Sequence, residues 1–144
     1  MNQEEKAKKN SKTLGVIIGM IAFAIAFMGV KYLFKNDITL ELKKGAIELN
    51  KLSPQQVDDY TRLDSAASIG KTNFIYYYTL LSLEKSEVNL DTVNKYLRPE
   101  IIKGVKENVA LKVFRKNNIT MDYKYYDKNG EFAMEISVTP DLYK

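Results

Sequence analysis

Cysteine and histidine are both absent from the 144 residues. The first absence excludes disulfide staples, thiolate zinc sites and thiol chemistry. It leaves the compartment open, because a disulfide-free domain folds anywhere. The second removes the commonest general base and the commonest transition-metal ligand, so the residues point away from an enzyme and call for no metal and no cofactor. Charge of one sign is also scarce where a nucleic-acid binder needs it. The overall balance is +4, yet basic and acidic side chains cancel from Asn36 onward, so the excess belongs to the N-terminal stretch. No nucleic-acid partner is expected, since a duplex wants a concentrated basic face on the folded domain. No Gly/Pro/Ser-rich linker marks off a second domain. The roughly 105 to 110 residues beyond the N-terminal stretch suffice for one domain with a small core.

What is present first is an apolar run, LGVIIGMIAFAIAFMGV, residues 14–30. At about 1.5 Å per residue it makes a helix of roughly 25 Å, and about 31 Å if it continues to Phe34 while Lys31 snorkels, close to the thickness of a bilayer's hydrocarbon. The run therefore predicts a transmembrane helix over 13–34, a basic cytoplasmic tail over 1–12 and an extracytoplasmic domain over 36–144. A cleaved export signal is the rival reading. Ala24 and Ala26 suit it, but Phe27, Met28 and Val30 continue the apolar run where a cleavage region turns polar. Lysines near the two ends tie in number, so placing the N-terminus inside rests on the usual form of a short basic tail, a single helix and a compact domain. The expected location is the bacterial inner (cytoplasmic) membrane, single-pass, with lipid as one partner. Gly15, Gly19, Ala22, Ala26 and Gly29 recur at intervals of four and three along one helix stripe. Such a seam lets another membrane or envelope protein, or a second copy, approach closely.

After this run, DITLELKKGAIELNKL reads as a helix with Leu42, Ala46 and Leu49 inward and Ile38 and Leu52 flanking, weakened at Gly45 and ended by Pro54. Two strand-like stretches, Tyr60 to Ser68 and Asn73 to Leu83, flank a turn at Gly70-Lys71-Thr72. Phe74, Tyr76, Tyr78 and Leu80 share one side of the second stretch, with Ile75, Tyr77 and Leu81 on the other, and apolar bulk on both faces implies a central strand. A second helix covers NLDTVNKYLRPEIIKGVKENVALKVFRKNN, capped at Asn89 or Asp91 and broken before Pro99. Its inward stripe is Val93, Leu97, Ile101, Ile102, Val105 and Val109. Lys103, Lys106, Lys112, Arg115 and Lys116 give it a basic, solvated or membrane-facing side.

The last segment, ITMDYKYYDKNGEFAMEISVTP, reads as a hairpin with a two-residue type I′ turn at Asn129-Gly130, a register in which paired residue numbers sum to about 259. Tyr125 then faces Met134, Tyr123 faces Ile136 and Met121 faces Val138, while Lys124 meets Glu135 and Lys128 meets Glu131 on the other face. The order helix, hairpin, helix, hairpin predicts an α+β fold, a four-stranded antiparallel sheet with helices on one face.

At NKLSPQQVDDYTRLD, YYYTLL and YKYYDKNGEFAMEISVTPDLY the chain resembles a loose group of small bacterial envelope proteins of unassigned function. They share an N-x3-P-x3-D-x2-T-R-L-D element and a closing Tyr/Asp/Gly hairpin, and the likeness runs from Leu49 to the C-terminus. Relatives often carry Cys just before that Pro and near the chain's end. Here Ser53 holds the first place and the second has none, which tells against a shared disulfide. The resemblance implies an exported or anchored domain and supplies no activity.

The densest charged cluster is Asp58, Asp59, Arg62 and Asp64, with Arg62 and Asp64 on one strand face. These are the candidate partner contacts, read as a strand entrance with an Arg–carboxylate pair. Tyr76, Tyr77, Tyr78, Tyr123, Tyr125 and Tyr126 read mainly as sheet core with hydroxyls reaching the rim, or as an aromatic binding platform. The function these features support is a non-enzymatic, membrane-anchored interaction or assembly module of a bacterial envelope complex. An envelope immunity or phage exclusion factor is one alternative. An Asp-dependent hydrolase or small-ligand binder in a sheet–helix cleft is another, and it requires a deep pocket around Asp58, Asp59 or Asp64.

Overall fold

The computed structural model describes residues 37–57 and 59–144. Helix α1, Ile38–Leu52, starts where Asp37 accepts the Thr39 N–H at 2.9 Å, and ends at Ser53, whose hydroxyl donates to the Leu49 carbonyl just ahead of Pro54. Its periodicity buries Leu42, Ala46 and Leu49 as the spacing predicts, whereas Leu52 lies at the helix end and is exposed. The rest of the order is β1 (Gln55–Gln56), β2 (Thr61–Ile69), β3 (Asn73–Leu80), α2, α3 (Lys112–Lys116), β4 (Thr120–Tyr126), β5 (Phe132–Val138) and α4 (Pro140–Tyr143). Single 3-10 turns sit at Lys85–Glu87 and Val109–Leu111. Helix α2 consists of Leu90–Thr92, a π-helical Val93–Leu97 and Arg98–Glu107 in unbroken succession.

Several expectations are corrected. The sheet has five strands in the order β1-β2-β3-β4-β5 and is mixed, with β3 and β4 parallel, where four antiparallel strands were expected. The long connection carrying α2 and α3 is the cause: it crosses back over the sheet, so β4 enters beside β3 in the same direction, which a tight turn cannot achieve. The two-residue β1 pairs with Leu63 and Arg62 and gave no periodic signal of its own. Nor does α2 break before Pro99. The Arg98 N–H donates to the Val93 carbonyl, five residues back, and this widened turn makes room for a ring that would strike the Lys95 carbonyl in a regular α-helix. Val109 is 81 % exposed because the backbone leaves helical geometry at Asn108 and the stripe loses phase. Arg115 is not part of a solvated basic side. Its guanidinium donates to the carbonyls of Val105 and Asn108 at 2.6 and 2.7 Å, which caps the end of α2.

The single-pass, inner-membrane placement is corrected as well. No helix among the described residues is long and apolar enough to cross a membrane. The longest regular α-helix among the described residues, α1, has 15 residues and carries lysines on its outer side. The apolar run at 13–34, the tail at 1–12 and the seam of Gly15, Gly19, Ala22, Ala26 and Gly29 lie outside the described residues.

One apolar core joins the buried residues of all four helices to Leu63 and Ala66 of β2, Phe74, Tyr76, Tyr78 and Leu80 of β3, Met121, Tyr123 and Tyr125 of β4, and Met134, Ile136 and Val138 of β5. The helices therefore cover one face of the sheet. Alternate residues of the same strands point to the opposite face.

In the second hairpin, Met121, Tyr123, Lys124 and Tyr125 pair with Val138, Ile136, Glu135 and Met134 in the register read from the sequence. The turn differs. Asp127 accepts the N–H groups of Asn129 and Glu131 on one oxygen at 2.8 and 2.9 Å, and that of Lys85 on the other at 3.0 Å. The Asp127 N–H donates to the Glu131 carbonyl, and Gly130, at φ +81°, takes the left-handed position of a three-residue loop. A bulge at Ala133 then restores the register. Lys128 reaches Glu84 at 3.0 Å instead of Glu131.

These backbone hydrogen bonds, that from Glu131 foremost, hold the Asp127 carboxyl below its ordinary value of 3.8. A lowered folded-state value means stability that is fully present above about pH 4 and lost as pH falls through the folded value. Wild type is therefore expected to be more stable than Asp127→Asn at neutral pH, with the gap closing under acid. Thermal melts of both proteins between neutral and acid pH check this.

Candidate interaction surface

The helix-free face is built from register rows that cross the sheet. The row at one end runs Arg62, Thr79, Tyr126, Phe132, from β2 to β5. The next runs Ser65, Tyr77, Lys124, Glu135, and the third Ala67, Ile75, Asp122, Ser137. Aromatic rings gather toward the first row: Tyr77 and Tyr126 have centroids 6.4 Å apart, and Tyr126 meets Phe132 edge-on at 5.8 Å. Phe132 is 44 % exposed, an apolar ring open to a partner on a face without a described helix.

The charges on this face neutralise one another. Arg62 Nε donates to Asp64, and the other Asp64 oxygen accepts the Thr79 hydroxyl at 2.5 Å. Asp64 stands where the β2–β3 register shifts between Leu63 and Ser65, so the pair clamps a bulge. Lys124 lies 3.9 Å from Glu135. Asp122 is 7 % exposed, and its carboxylate accepts Asn73 Nδ2 at 3.0 Å and the Ser137 hydroxyl at 2.5 Å. A carboxylate so bonded is held by the sheet and is not free for acid–base work.

The four residues singled out from the sequence divide. Arg62 and Asp64 come together on this face; Asp59 is exposed at the strand entrance; Asp58 lies outside the described residues. Asp64 is committed to Arg62 and Thr79. Among the described residues no group of three or more carboxylates is placed to hold a metal ion.

The tyrosines divide by strand parity. Tyr77 and Tyr126 face outward, while Tyr76, Tyr78, Tyr123 and Tyr125 are 0 to 2 % exposed in the core. The expectation that buried tyrosines send their hydroxyls to the rim fails, since these four hydroxyls are buried and none has a hydrogen-bond partner among the described residues. Burial pushes all four phenols up, so they stay neutral. Phe132 escaped the sequence reading. Its place in a hairpin strand was legible, but its neighbours on the outer face follow only from the pairing with Tyr126.

The sheet is guarded against strand addition at two places, β2 beyond the two-residue β1 and the edge strand β5. On β2, Asn50 of α1 occupies the Ala66 backbone as a strand would: its Oδ1 accepts the Ala66 N–H at 2.7 Å and its Nδ2 donates to the Ala66 carbonyl at 2.9 Å. On β5, the bulge at Ala133 and the mid-strand charge of Glu135 have the same effect. Asn50 thus has a stated task in the N-x3-P-x3-D-x2-T-R-L-D element, as Arg62 and Asp64 do. Asn50→Ala is expected to cost about 1–3 kcal/mol by leaving two backbone groups half-buried and unpaired. Urea unfolding measures the loss, and hydrogen exchange at Ala66 reports it locally.

The fold recurs in solved structures. A crystal structure of a presumed secreted protein from Pseudomonas aeruginosa superposes with a TM-score of 0.59 at 10% identity, over 77% of this chain and 100% of that one. The type II secretion system pilotin AspS from Vibrio cholerae gives 0.55 at 12% identity, over 73% and 91% of the two chains. EpsS, the pilotin of the Vibrio vulnificus type II system, gives 0.57 at 12% identity, over 74% and 92%. At such identities the likeness is one of fold alone. Their names, a secreted protein and two secretion pilotins, lend nothing to an inner-membrane placement. No curated protein matches the chain. Residues 39–133 match the profile of a family described as a domain of unknown function, DUF8479.

Proposed function

Because the chain belongs to the family of the domain of unknown function DUF8479, whose description assigns no activity, we propose from its geometry a non-enzymatic module that binds another protein of a bacterial envelope assembly. The carrying observation is the outer face of the sheet, where Phe132 is exposed against Tyr126 and the surrounding charges are already paired. An aromatic centre with a polar, self-neutralised rim is the composition of a protein interface. The helices occupy the other face, and Asn50 and the Ala133 bulge guard β2 and β5 against strand addition. The fold shared with proteins named as type II secretion pilotins supports an assembly role.

A photo-crosslinking residue placed at position 132 is expected to capture the partner in intact cells, and Phe132→Ser with the crosslinker at Tyr126 to lower the yield about tenfold, as loss of an aromatic hot spot does. The same crosslinker at Val109, the most exposed apolar residue of the helical layer, is the control. Adducts at 109 with none at 132 would move the interface to the helices and defeat the assignment.

A further inference from the structure

The tyrosine core lies on the opposite side of the sheet from the aromatic row and calls for its own account. Tyr76 and Tyr78 of β3 stand beside Tyr123 and Tyr125 of β4. The Tyr76–Tyr123 rings are 5.0 Å apart and within 12° of parallel, the Tyr78–Tyr125 rings 5.2 Å and 18°, and Tyr76–Tyr78 6.4 Å along the strand. Helix α1 packs mainly on β2 and reaches Phe74 of β3, while α2 reaches β5. Each ring is buried and each hydroxyl lacks a partner among the described residues. Phenylalanine would stack as well at every one of these positions without burying a polar group, so packing alone does not explain four hydroxyls side by side.

We propose that the four hydroxyls form the floor of a ligand site that opens between α1 and α2 and takes a small lipophilic molecule bearing a carbonyl-type acceptor, such as a ketone or ester. The four rings stand about 5 by 6 Å apart between centres, close enough to serve a single acceptor group. The walls supplied by the core, Leu97, Ile101, Phe74 and Phe114, suit a hydrocarbon body. Buried O–H donors in apolar surroundings select an acceptor and reject a plain hydrocarbon, because only the acceptor satisfies them. The π-helical turn Val93–Leu97 gives α2 a point at which it can bend away from the sheet.

The test compares a nine-carbon methyl ketone with nonane in thermal melts of the full chain. The ketone is expected to raise Tm by about 4 °C or more, nonane by less than about 1 °C, and the difference to vanish in Tyr76→Phe/Tyr123→Phe. Resonance Raman of tyrosine reads the same event directly. The Fermi-doublet ratio should shift toward hydrogen-bonded phenol on adding ketone to wild type and shift less in the double variant. Equal responses to ketone and nonane, or no response to either, overturn the proposal. So does a ligand-free spectrum in which the four phenols are already hydrogen-bonded, since internal water would then fill the role given to the ligand. This outcome is independent of crosslinking at position 132, which addresses the other face.

Discussion

Phe74→Ala is expected to lower the unfolding free energy by about 3–5 kcal/mol, the range for removing a buried phenylalanine and leaving a cavity behind. Phe74 is 0 % exposed and joins three layers. Its ring lies 5.0 Å from Tyr76 on its own strand and 5.2 Å from Phe114 of α3, and Gly45 of α1 sits so close that a Cβ there would come within 3.7 Å of Cε2. Truncation therefore loosens α1, α3 and the sheet together, and three converging elements cannot all collapse into the gap. Since a domain of this size holds only about 5–15 kcal/mol, a loss of this magnitude removes about a fifth of it or more. In urea the midpoint should fall by about 2 M with little change in slope. A fall below about 0.5 M would show that the layers close over the space and that Phe74 does not join them.

The second large effect has the opposite sign. Changing Tyr76, Tyr78, Tyr123 and Tyr125 together to phenylalanine is expected to stabilise the ligand-free protein, by about 1 kcal/mol per hydroxyl and roughly 2–4 kcal/mol in all. Each change deletes a buried donor with no partner among the described residues while keeping the stacked rings. The four contributions are not strictly additive, because the rings touch. Melting should move up by roughly 10 °C or more. A lowered Tm would mean that the hydroxyls are satisfied in solution, and would remove the physical basis of the site between α1 and α2. The same variants with leucine in place of phenylalanine should lose stability, because they give up the ring stacking as well as the hydroxyl.

Much of the architecture was legible where the signal is local. The inward stripe Leu42, Ala46, Leu49 of α1 and the alternation Phe74, Tyr76, Tyr78, Leu80 of β3 are periodicities of 3.6 and 2 that neighbouring residues impose whatever the rest of the chain does. The register of the last hairpin was legible for a related reason: apolar and charged pairs separate in one alignment only, so Lys124 opposite Glu135 and Tyr125 opposite Met134 followed from pattern. The turn itself was misread, because Asp127 spends its carboxylate on Asn129, Glu131 and Lys85, the last of them 42 residues away, and the resulting loop and bulge reach the same register by another route.

The candidate site was legible in its residue types and hidden in its arrangement. Arg62 and Asp64 were placed on one strand face from their spacing, but that Thr79 closes the clamp depends on the β2–β3 pairing. Strand parity separates Tyr77 and Tyr126 from Tyr76, Tyr78, Tyr123 and Tyr125; that the second set is the covered one belongs to the helices, which bury one face of the sheet and leave the other.

By itself, then, the sequence determined an α+β domain without thiol or imidazole chemistry, its main helices and strands, and one hairpin register, because propensity, periodicity and pairwise complementarity act over a few residues. The tertiary structure decided the parallel junction of β3 with β4, the guarding of β2 by Asn50, and which aromatic rings face outward. These depend on where a long crossover returns the chain and which sheet face the helices cover, and such long-range choices leave no mark within any short window of residues.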